Sequence, residues 1–544
     1  MALLLLLLVL TCIVSGTASD STQPKHVVLI VADDLGSADL GYTGSQISTP
    51  HLDKLAGQGV KLANFYVQRA CSPTRGALLT GRYNIRYGFQ SGVLTDRNNF
   101  SLPLNETLLP EFFHRAVARS HCHAVGKWHV GYHSWAHTPT YRGFDSYLGY
   151  YSGDEDYYTH RGDCGGFDMH DDARPKCGAN CSRHAWETQG VYSTHLFTSR
   201  AVSRIGAHDT STSLFLYMAY QAVHVPDQVP ASYMAPYAFP PVEGTNARNL
   251  FAGMLTCLDE GVGNITNALA RRGMLADTLF WFQTDNGAAT PACGGWTGGQ
   301  NWPLRGGKCT AWEGGLRGVA FVSGAGLLPA QRGTTAHGLM HTVDVLPTLV
   351  AALGGDAHAL AAPGFALDGI SQWETLARGA PAGRHTVLLE ADPLASPWSN
   401  RPPGFVCSGD EHATPYYALR QADWKLLLGD PGADDNRHAS IGNGIWCTGP
   451  PCPSDHNNSA TRAGPWPVDS VMLFDLATDP TESRNVAAAH PDVVARLTAL
   501  IKALNASAVD SRGVCAPPEA QQSPALHNGT CTPWGLETES ESGD

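Results

Sequence analysis

The sequence has little positive charge for its length. Across 544 residues, 36 lysines and arginines stand against 49 aspartates and glutamates, which gives a formal net charge of -13. This balance argues against a nucleic-acid binder and against a broadly basic, polyanion-binding surface. An anionic substrate must therefore be attracted by a local cluster of cations. The closing "ETESESGD" is a solvated acidic tail.

A hydrophobic run long enough to cross a membrane is also missing at the start of the chain. The opening "MALLLLLLVLTCIVSGTASD" contains an apolar stretch of about 13 residues, whereas a span requires roughly 20. The stretch closes in the small residues Ser15 to Ser19, which suit a signal peptidase, although no lysine or arginine precedes it. We predict a cleaved signal peptide over residues 1–19, with a membrane anchor as the alternative. The protein then enters the secretory pathway and is secreted or lysosomal.

Cysteine, in contrast, is abundant, and fourteen residues favour an oxidising compartment. Loss of Cys12 with the signal leaves an odd number, so one cysteine is spare, and Cys71 is the candidate. We expect disulfides rather than zinc sites among the local neighbours Cys164, Cys177 and Cys181, Cys447 with Cys452, and Cys515 with Cys531. Glycosylation sequons at Asn99, Asn105, Asn180, Asn264, Asn457, Asn505 and Asn528 agree with this route.

Three apolar runs end in polar residues: "KHVVLIVADDLG", "LFLYMAYQAVH" and "TLFWFQTDNG". Such runs are typical of strands buried on both faces of a parallel sheet, and segments with helical spacing lie between them. We predict an α/β fold with helices flanking the sheet. Because ligands gather at the carboxyl ends of strands in an open α/β sheet, the three strand ends could converge on one crevice. The sequence contains no internal repeat.

A linker rich in glycine, alanine and proline, "LAAPGFALDGISQWETLARGAPAGRH", follows the apolar segment "VDVLPTLVAALGG". Beyond it, "YYALRQADWKLLLGD" and "SVMLFDLATDP" have strand character, and "HPDVVARLTALIKAL" has helical spacing. We therefore predict a catalytic α/β domain over residues 20–375. A smaller α+β domain with the acidic tail follows over residues 376–544.

Two of the strand ends supply a concentrated set of oxygen ligands, Asp33 with Asp34 and Asp285 with Asn286. Hard oxygens without a neighbouring thiol or imidazole pattern suit Ca²⁺ or Mg²⁺ rather than zinc. Either pair alone reads as a strand-to-loop turn. Both pairs at the ends of buried strands favour one metal site.

Cations and histidines follow the other predicted strands and loops. "GKWHVG" places Lys127 and His129 two residues apart, so an extended segment projects both side chains to the same side. His224 ends "YQAVH", and Lys308 lies in the glycine-rich "PLRGGKC". Trp302 stands where a nucleotide-binding G-x-x-x-x-G-K loop needs its first glycine, which weakens a nucleotide-binding interpretation.

The stretch "CSPTRGALLTGR" brings these residues into one interpretation. Cys71, Pro73 and Arg75 form a C-x-P-x-R pattern that resembles the signature of the formylglycine-dependent (type I) sulfatases. "VADDLGSADLGYTGS", "GKWHVG", "SGDEDYYTH", "LDEGVGNITNAL", "TDNG", "NWPLRGGKCTAWEGGLRG" and "LPTLV" stand in the order of that family, and several look closest to its arylsulfatase B, or N-acetylgalactosamine 4-sulfatase, type.

The resemblance implies a fold, an activity and a role for each residue. It implies an alkaline-phosphatase-like fold with a large mixed, mostly parallel sheet, and hydrolysis of sulfate monoesters. A formylglycine-generating enzyme would convert Cys71 to formylglycine, whose hydrate attacks sulfur. One Ca²⁺, or Mg²⁺, would be held by Asp33, Asp34, Cys71, Asp285 and Asn286. Catalysis would further use Arg75, Lys127, His129, His224 and Lys308, and either His224 or Lys308 would protonate the leaving oxygen.

The sequence departs from the family pattern in a few places. Thr74 replaces the more usual serine, and Gly76 stands where alanine or serine is common. Neither change removes the Cys, Pro or Arg of the signature, so we expect the modification to survive. Cys122, Cys293 and Cys309 are extra cysteines expected beside the site, with a bridge from Cys293 to Cys309.

The substrate that the resemblance implies is a sulfated sugar such as N-acetylgalactosamine 4-sulfate. Another sulfated polysaccharide or an aryl sulfate remains open, as does the oligomeric state. A metal-dependent phosphatase or phosphodiesterase of similar architecture is an alternative, but such enzymes usually place threonine or serine at the nucleophile position. A noncatalytic binder of sulfated glycans is a further alternative, which the intact set of candidate residues disfavours.

Overall fold

The computed structural model describes residues 23–96, 98–240, 245–289, 293, 297–392, 416–432, 470–512 and 523–535. The predicted signal peptide, Cys447, Cys452, the sequon at Asn457 and the acidic tail lie outside these residues. Within the described ranges, no helix is both long and apolar enough to span a membrane.

The structure contains two β-sheets. The larger one has ten strands in the order β10-β2-β9-β8-β1-β7-β3-β4-β5-β6. Its strands are β1 His26–Ala32, β2 Val60–Tyr66, β3 Ser120–Gly126, β4 Ser146–Gly149, β5 His170–Asp172, β6 Arg183–His184, β7 Ser213–Ala219, β8 Thr278–Thr284, β9 Ala320–Gly324 and β10 Thr334–His341. The central strands β8, β1, β7, β3 and β4 run parallel, whereas β9 pairs antiparallel with β8 and β2. The sheet is therefore mixed and mostly parallel, as predicted.

Helices cover both faces of this sheet. They are α1 Pro50–Gly57, α2 Cys71–Thr80, α3 Leu109–Ala116, α4 Ser193–Ala207, α5 Ala231–Met234, α6 Ala247–Arg271, α7 Glu313–Leu316, α8 Val345–Ala352, α9 Ala357–Leu360 and α10 Trp373–Arg378. Every residue of β1 is buried, and its alternate side chains enter two different cores. Leu29 packs in the core formed with α2, α3 and α8, and Val28 packs in the core formed with α1, α4 and α6. This explains why β1 is a continuous apolar run rather than an alternating one.

A second, antiparallel sheet follows toward the C-terminus. It contains β11 Thr386–Asp392, β12 Tyr416–Gln421, β13 Trp424–Gly429 and β14 Val471–Asp475 in sequential order, and α11 Pro491–Asn505 packs on it. The predicted smaller α+β unit is thereby confirmed as a fold class. Its assigned boundary after residue 375 falls inside α10 and stays a prediction.

The disulfides correct part of the cysteine analysis. Cys177 bonds to Cys181, and Cys293 bonds to Cys309 as expected, but Cys531 bonds to Cys164, 367 positions away, and not to Cys515. The short parallel bridge between Phe167 and Thr530 brings the two distant segments together.

The expectation of a single spare cysteine is also wrong. Cys71, Cys122 and Cys257 are all free and buried. Cys122 lies near the start of β3, five residues before Lys127 and so at the opposite edge of the sheet from the strand ends. It is a packed core thiol and does not lie beside the site.

Candidate active site

The register of β1 with β8 brings the two pairs of oxygen ligands together. Ala32 pairs with Thr284 at the ends of these parallel strands, so the next residues, Asp33 and Asp285, emerge side by side. The backbone N–H of Asp34 donates to Oδ1 of Asp285 at 3.2 Å, and the Asn286 amide donates to Oδ1 of Asp34 at 2.7 Å. Two segments about 250 residues apart thus form one cluster of oxygens, all of it buried.

Cys71 lies against this cluster because it is the first residue of α2. The backbone of Ala70 is extended and the helix begins at Cys71, which is 1% exposed. The Cys71 thiol donates to Oδ1 of Asp33 at 3.4 Å and lies 3.5 Å from the amide oxygen of Asn286. Burial, with the carboxylates of Asp285 and Asp33, holds the pKa of the Cys71 thiol well above its usual value. The unmodified residue is therefore a neutral thiol and a poor nucleophile.

Arg75 follows Cys71 by four residues, so the two side chains leave the same face of α2. Its Nε and one terminal nitrogen donate to Oδ2 of Asp285 at 3.1 and 2.7 Å, and the same terminal nitrogen lies 3.3 Å from Asp33. The other terminal nitrogen is buried and makes no hydrogen bond of good geometry in the described residues, although the hydroxyl of Tyr217 interacts with the guanidinium. Arg75 is therefore held mainly by the two aspartates of the crevice.

Two lysines neutralise the remaining carboxylates. Lys127, just after β3, donates to Asp33 at 2.5 Å, and Lys308 donates to Asp34 at 2.9 Å. Burial alone would raise the pKa of both aspartates, but the lysines, with His224, lower it below the ordinary value. Burial opposes the charge on each lysine as well, and the aspartates more than compensate, so the pKa of both lysines is raised. All four groups are therefore charged near neutral pH.

The two histidines occupy different positions. The His224 Nε2 lies 3.8 Å from Asp34, and the His224 side chain is 12% exposed. The ring of His129 is more deeply buried, and its Nε2 lies 2.9 Å from the carbonyl oxygen of Leu94. Burial, together with Lys127 and Arg75, lowers the pKa of His129 well below its usual value, so the ring is neutral. Its Nδ1 has no partner in the described part of the chain.

These residues include a group able to hold a cation. Ligand atoms of Asp33, Asp34, Cys71 and His224 all lie within 4.8 Å of one another. Three of the four belong to the predicted metal set, and the predicted ligands Asp285 and Asn286 contact them directly through Asp34 and Cys71. His224 was predicted as a catalytic residue and not as a metal ligand. Carboxylate and amide oxygens dominate the donor set, which fits Ca²⁺ or Mg²⁺.

The signature departures at Thr74 and Gly76 have local explanations. The Thr74 hydroxyl accepts from the backbone N–H of Gln68 at 2.9 Å, which fixes the chain leading into α2 and uses a group that serine also has. A Cβ at Gly76 would lie 2.8 Å from the hydroxyl of Tyr87. Glycine at position 76 therefore accommodates a buried tyrosine that packs closely on the helix.

Sequence reasoning missed the residues that support the site rather than form it. Asn301 donates to the carbonyls of Ala288 and Gly306 at 3.1 and 3.2 Å and so ties the Lys308 loop to the end of β8. Thr284 donates to the carbonyl of Asn286 at 2.6 Å and accepts from the N–H of Leu35. The only sequence signal for either was its place as the first residue of a quoted motif, because the partners are backbone groups.

Comparisons with known proteins agree with this geometry. The family described as Sulfatase matches residues 25–355. Arylsulfatase J of Mus musculus is 36% identical over 532 residues, covering 96% of this chain and 81% of that protein. Arylsulfatase A of Homo sapiens is 30% identical and covers 88% of this chain and 87% of its own length. N-acetylgalactosamine-6-sulfatase of Homo sapiens is 32% identical and covers 69% and 70%.

Solved structures share the fold. Ps i-CgsB in complex with k-i-k-neocarrahexaose superposes with a TM-score of 0.70 at 24% identity, covering 90% of this chain and 95% of that one. The PsFucS1 sulfatase from Pseudoalteromonas sp. gives 0.67 at 22% identity, with coverage of 90% and 91%. The family match, the relatives and the arrangement around Cys71 lead to one conclusion: this chain belongs to the sulfatase family.

Proposed function

We propose that the protein hydrolyses sulfate monoesters of sugars, with residue 71 as formylglycine and one Ca²⁺ in the crevice. Membership in the sulfatase family already gives sulfate ester hydrolysis as the reaction class. The observation that carries the finer proposal is the place of Cys71. It begins α2 inside a shell of three carboxylates and three cations, formed by Asp33, Asp34, Asp285, Arg75, Lys127 and Lys308.

The modified residue supplies the nucleophile. Oxidised by a formylglycine-generating enzyme and hydrated, residue 71 presents a hydroxyl that attacks sulfur, which the neutral thiol of the unmodified chain cannot do well. Arg75 lies one turn of α2 from residue 71 and is bound to Asp285 and Asp33, and we assign its guanidinium to orienting this hydroxyl. His129 is neutral and its Nδ1 lacks a partner among the described residues, so it can accept a proton from the same group.

The basic residues nearest the surface, Lys308 and His224, bind the sulfate group. Lys127 is fully buried, whereas the side chains of Lys308 and His224 are 9% and 12% exposed, so these two face the side from which substrate enters. Their charge compensates the sulfate oxygens and the charge that develops as the ester bond breaks. Either one can protonate the leaving oxygen. A divalent cation held by Asp33, Asp34, Asp285, Asn286 and residue 71 would supply further positive charge to the sulfate.

For the substrate we propose a sulfated amino sugar of the N-acetylgalactosamine 4-sulfate type. The motifs resemble the 4-sulfatase type, and relatives include an N-acetylgalactosamine-6-sulfatase and two arylsulfatases. Hydrolysis rates for the 4-sulfate, the 6-sulfate and a simple aryl sulfate separate the three possibilities. Preference for the 6-sulfate would contradict the proposed position of the ester.

We further propose maturation in the secretory pathway. Three disulfides, Cys164–Cys531, Cys177–Cys181 and Cys293–Cys309, are consistent with an oxidising compartment. The described sequons at Asn99, Asn105, Asn180, Asn264 and Asn528 are exposed, and Asn505 is half-buried, so all six are at the surface for glycan attachment. Digestion with a glycosidase followed by mass analysis identifies the occupied positions.

The decisive test of the proposed chemistry is mass spectrometry of the tryptic peptide Ala70 to Arg75, from protein made in cells with the formylglycine-generating machinery. We expect an aldehyde at residue 71 in place of the thiol. A peptide that carries only the thiol, in a preparation that still hydrolyses sulfate esters, would contradict the assigned nucleophile. Thiol together with no hydrolysis would favour a noncatalytic binder of sulfated glycans.

A further inference from the structure

A sealed ionic cluster joins the C-terminal sheet to the loop that carries Lys308. Lys425, on β13, lies 3.0 Å from Glu313, the first residue of α7, and 2.8 Å from Glu482. All three side chains are 0% exposed. The backbone N–H of Glu313 donates to Glu482 at 2.7 Å, and the hydroxyl of Tyr66 donates to Glu313 at 2.8 Å. The cluster therefore holds the start of α7 from both sides.

Lys425 is the cation on which this arrangement depends. Burial opposes the charge of Glu313, but Lys425, followed by Arg317, lowers the pKa of Glu313 below its ordinary value. Burial raises the pKa of Glu482 to about 7, although Lys425 opposes this rise. Without the ammonium, two carboxyl groups would share a dry site, and the contact between Glu313 and β13 would be lost.

α7 transmits its position directly to the turn around Lys308. The N–H of Gly314 donates to the carbonyl of Arg305 at 2.7 Å. A Cβ on Gly315 would lie only 2.4 Å from the carbonyl oxygen of Gly307, so helix and turn are in backbone contact. Lys308 is the next residue, and its ammonium reaches Asp34. A shift of α7 would therefore move Lys308 with it.

We propose that Lys425 is a positioning residue for Lys308, acting through Glu313 and α7. The C-terminal sheet thereby becomes part of the catalytic apparatus without contacting the substrate. The inference rests on the proposed function, since it assigns Lys425 to the same sulfate-binding cation. The expected signature is energetic coupling between Lys425 and Lys308, which a purely structural lysine would not produce.

A double-mutant cycle on kcat/KM for an aryl sulfate tests this proposal. We expect Lys425→Met to lower kcat/KM by roughly 10- to 100-fold in the wild-type background, because small displacements of catalytic groups are costly. In a Lys308→Ala background the same change should cost at most about threefold, since the group that it positions is gone. Glu313→Gln, which keeps the side-chain size, provides a second route to the same coupling if Lys425→Met folds poorly.

Arg384→Met is the matched control. Arg384 is another buried cation, donating to Asp344 of the segment before α8 at 2.7 Å, and its hydrogen bonds among the described residues go to Asp344, Tyr83, Thr386 and Asp368, none of them in the Lys308 loop. We expect it to lower the Tm while its effect on kcat/KM stays the same in both Lys308 backgrounds. Equal fold-losses for Lys425→Met with and without Lys308 would overturn the inference. Absence of sulfate ester hydrolysis in the wild-type protein would instead overturn the proposed function.

Discussion

The ten-stranded sheet carries one kind of polar cluster at the carboxyl ends of its strands, its carboxyl edge, and the opposite kind at their amino ends, its amino edge. At the carboxyl ends of β1, β3 and β8, acids and bases alternate, and Asp33 with Lys127 and Asp34 with Lys308 keep one another charged. At the amino ends, His26, His121, His123 and His208 form a cluster of like groups with ring centroids 5.6 to 6.4 Å apart. Burial, followed by neighbouring basic groups, lowers the pKa of His26 to about 4 and that of His123 to about 3.

This difference separates function from stability. Opposite charges held close together remain ionised in a dry crevice and can act on a charged substrate. The buried rings of His26 and His123 instead remain neutral near pH 7, and they contribute packing and local hydrogen bonds. Substitutions at the carboxyl edge should therefore reduce turnover more than stability, and substitutions at the amino edge should do the reverse.

The largest effect is expected at Cys71. Cys71→Ala should abolish turnover, because the proposed formylglycine, whose hydrate supplies the attacking hydroxyl, can form only from this cysteine, and the Tm should change little. Cys122→Ala is the matched control, since Cys122 is also a free, buried thiol but lies at the other edge of the sheet. Sulfate release assays and thermal denaturation check both variants. Turnover by Cys71→Ala at the wild-type rate would end the assignment of the nucleophile.

Removal of the divalent metal is expected to have the next largest effect. A chelator should abolish activity, and added Ca²⁺ should restore activity and raise the Tm. At a free Ca²⁺ concentration of one hundred times the Kd, the free energy of unfolding should increase by about 2.7 kcal/mol. Asp34→Asn should lose the Ca²⁺-dependent rise in Tm, because it removes a charged ligand of the proposed site. The exposed Asp209→Asn should keep it. An equal rise in Asp34→Asn and wild type would move the metal away from this crevice.

We predict that His123, at the amino edge, makes the stability of the protein depend on pH, and that its substitution leaves the activity intact. The pKa of His123 is about 3 in the folded protein, because of burial and then Arg204 and His121, and is near 6.5 when unfolded. Below pH 6.5 the unfolded chain binds a proton that the folded chain does not, so stability falls as pH falls. The contribution of His123 to this loss should reach about 2 kcal/mol at pH 5, and His26, whose pKa is lowered to about 4, adds a loss of the same sign.

His123→Asn should remove the His123 contribution and so make this pH dependence less steep, and asparagine can still pair with the Ser146 hydroxyl that His123 contacts at 2.8 Å. Denaturant unfolding at pH 7 and pH 5 gives the comparison. The exposed His337→Asn should leave the wild-type difference intact. If His123→Asn retained the full loss between these pH values, other groups would govern the acid response.

The smallest effect is expected at Gly76, on the helix that carries Cys71. Gly76→Ala places a Cβ 2.8 Å from the Tyr87 hydroxyl, and this overpacking should cost about 1–2 kcal/mol of stability with little loss of turnover. The double variant Gly76→Ala with Tyr87→Phe should recover part of this stability because it removes the nearest crowding atom. Failure of that recovery would show that the ring edges of residue 87 and Phe89, 3.1 and 3.3 Å from the same Cβ, resist the side chain.

Much of the architecture followed from local patterns. The apolar runs of β1, β7 and β8 predicted buried strands because strands covered on both faces need no polar alternation, and the polar residues after them predicted ligand-bearing ends. The bridge between Cys293 and Cys309 was expected as a staple of the loop beside the predicted site and is present. Counting cysteines failed, because buried Cys122 and Cys257 remain free thiols, and nothing in an odd total distinguishes one unpaired residue from three.

The sequence by itself determined the residue types, their order and the ends of the elements on which they lie, since these depend on short-range periodicity and on motifs such as C-x-P-x-R. Only the tertiary structure decided which distant residues meet. The register of β1 with β8 brings Asp34 into hydrogen-bonding distance of Asp285. Cys164 forms a disulfide with Cys531, and Lys425 forms an ion pair with Glu313. Such contacts arise from the packing of whole sheets and helices, and no local pattern encodes the partner of a side chain hundreds of residues away.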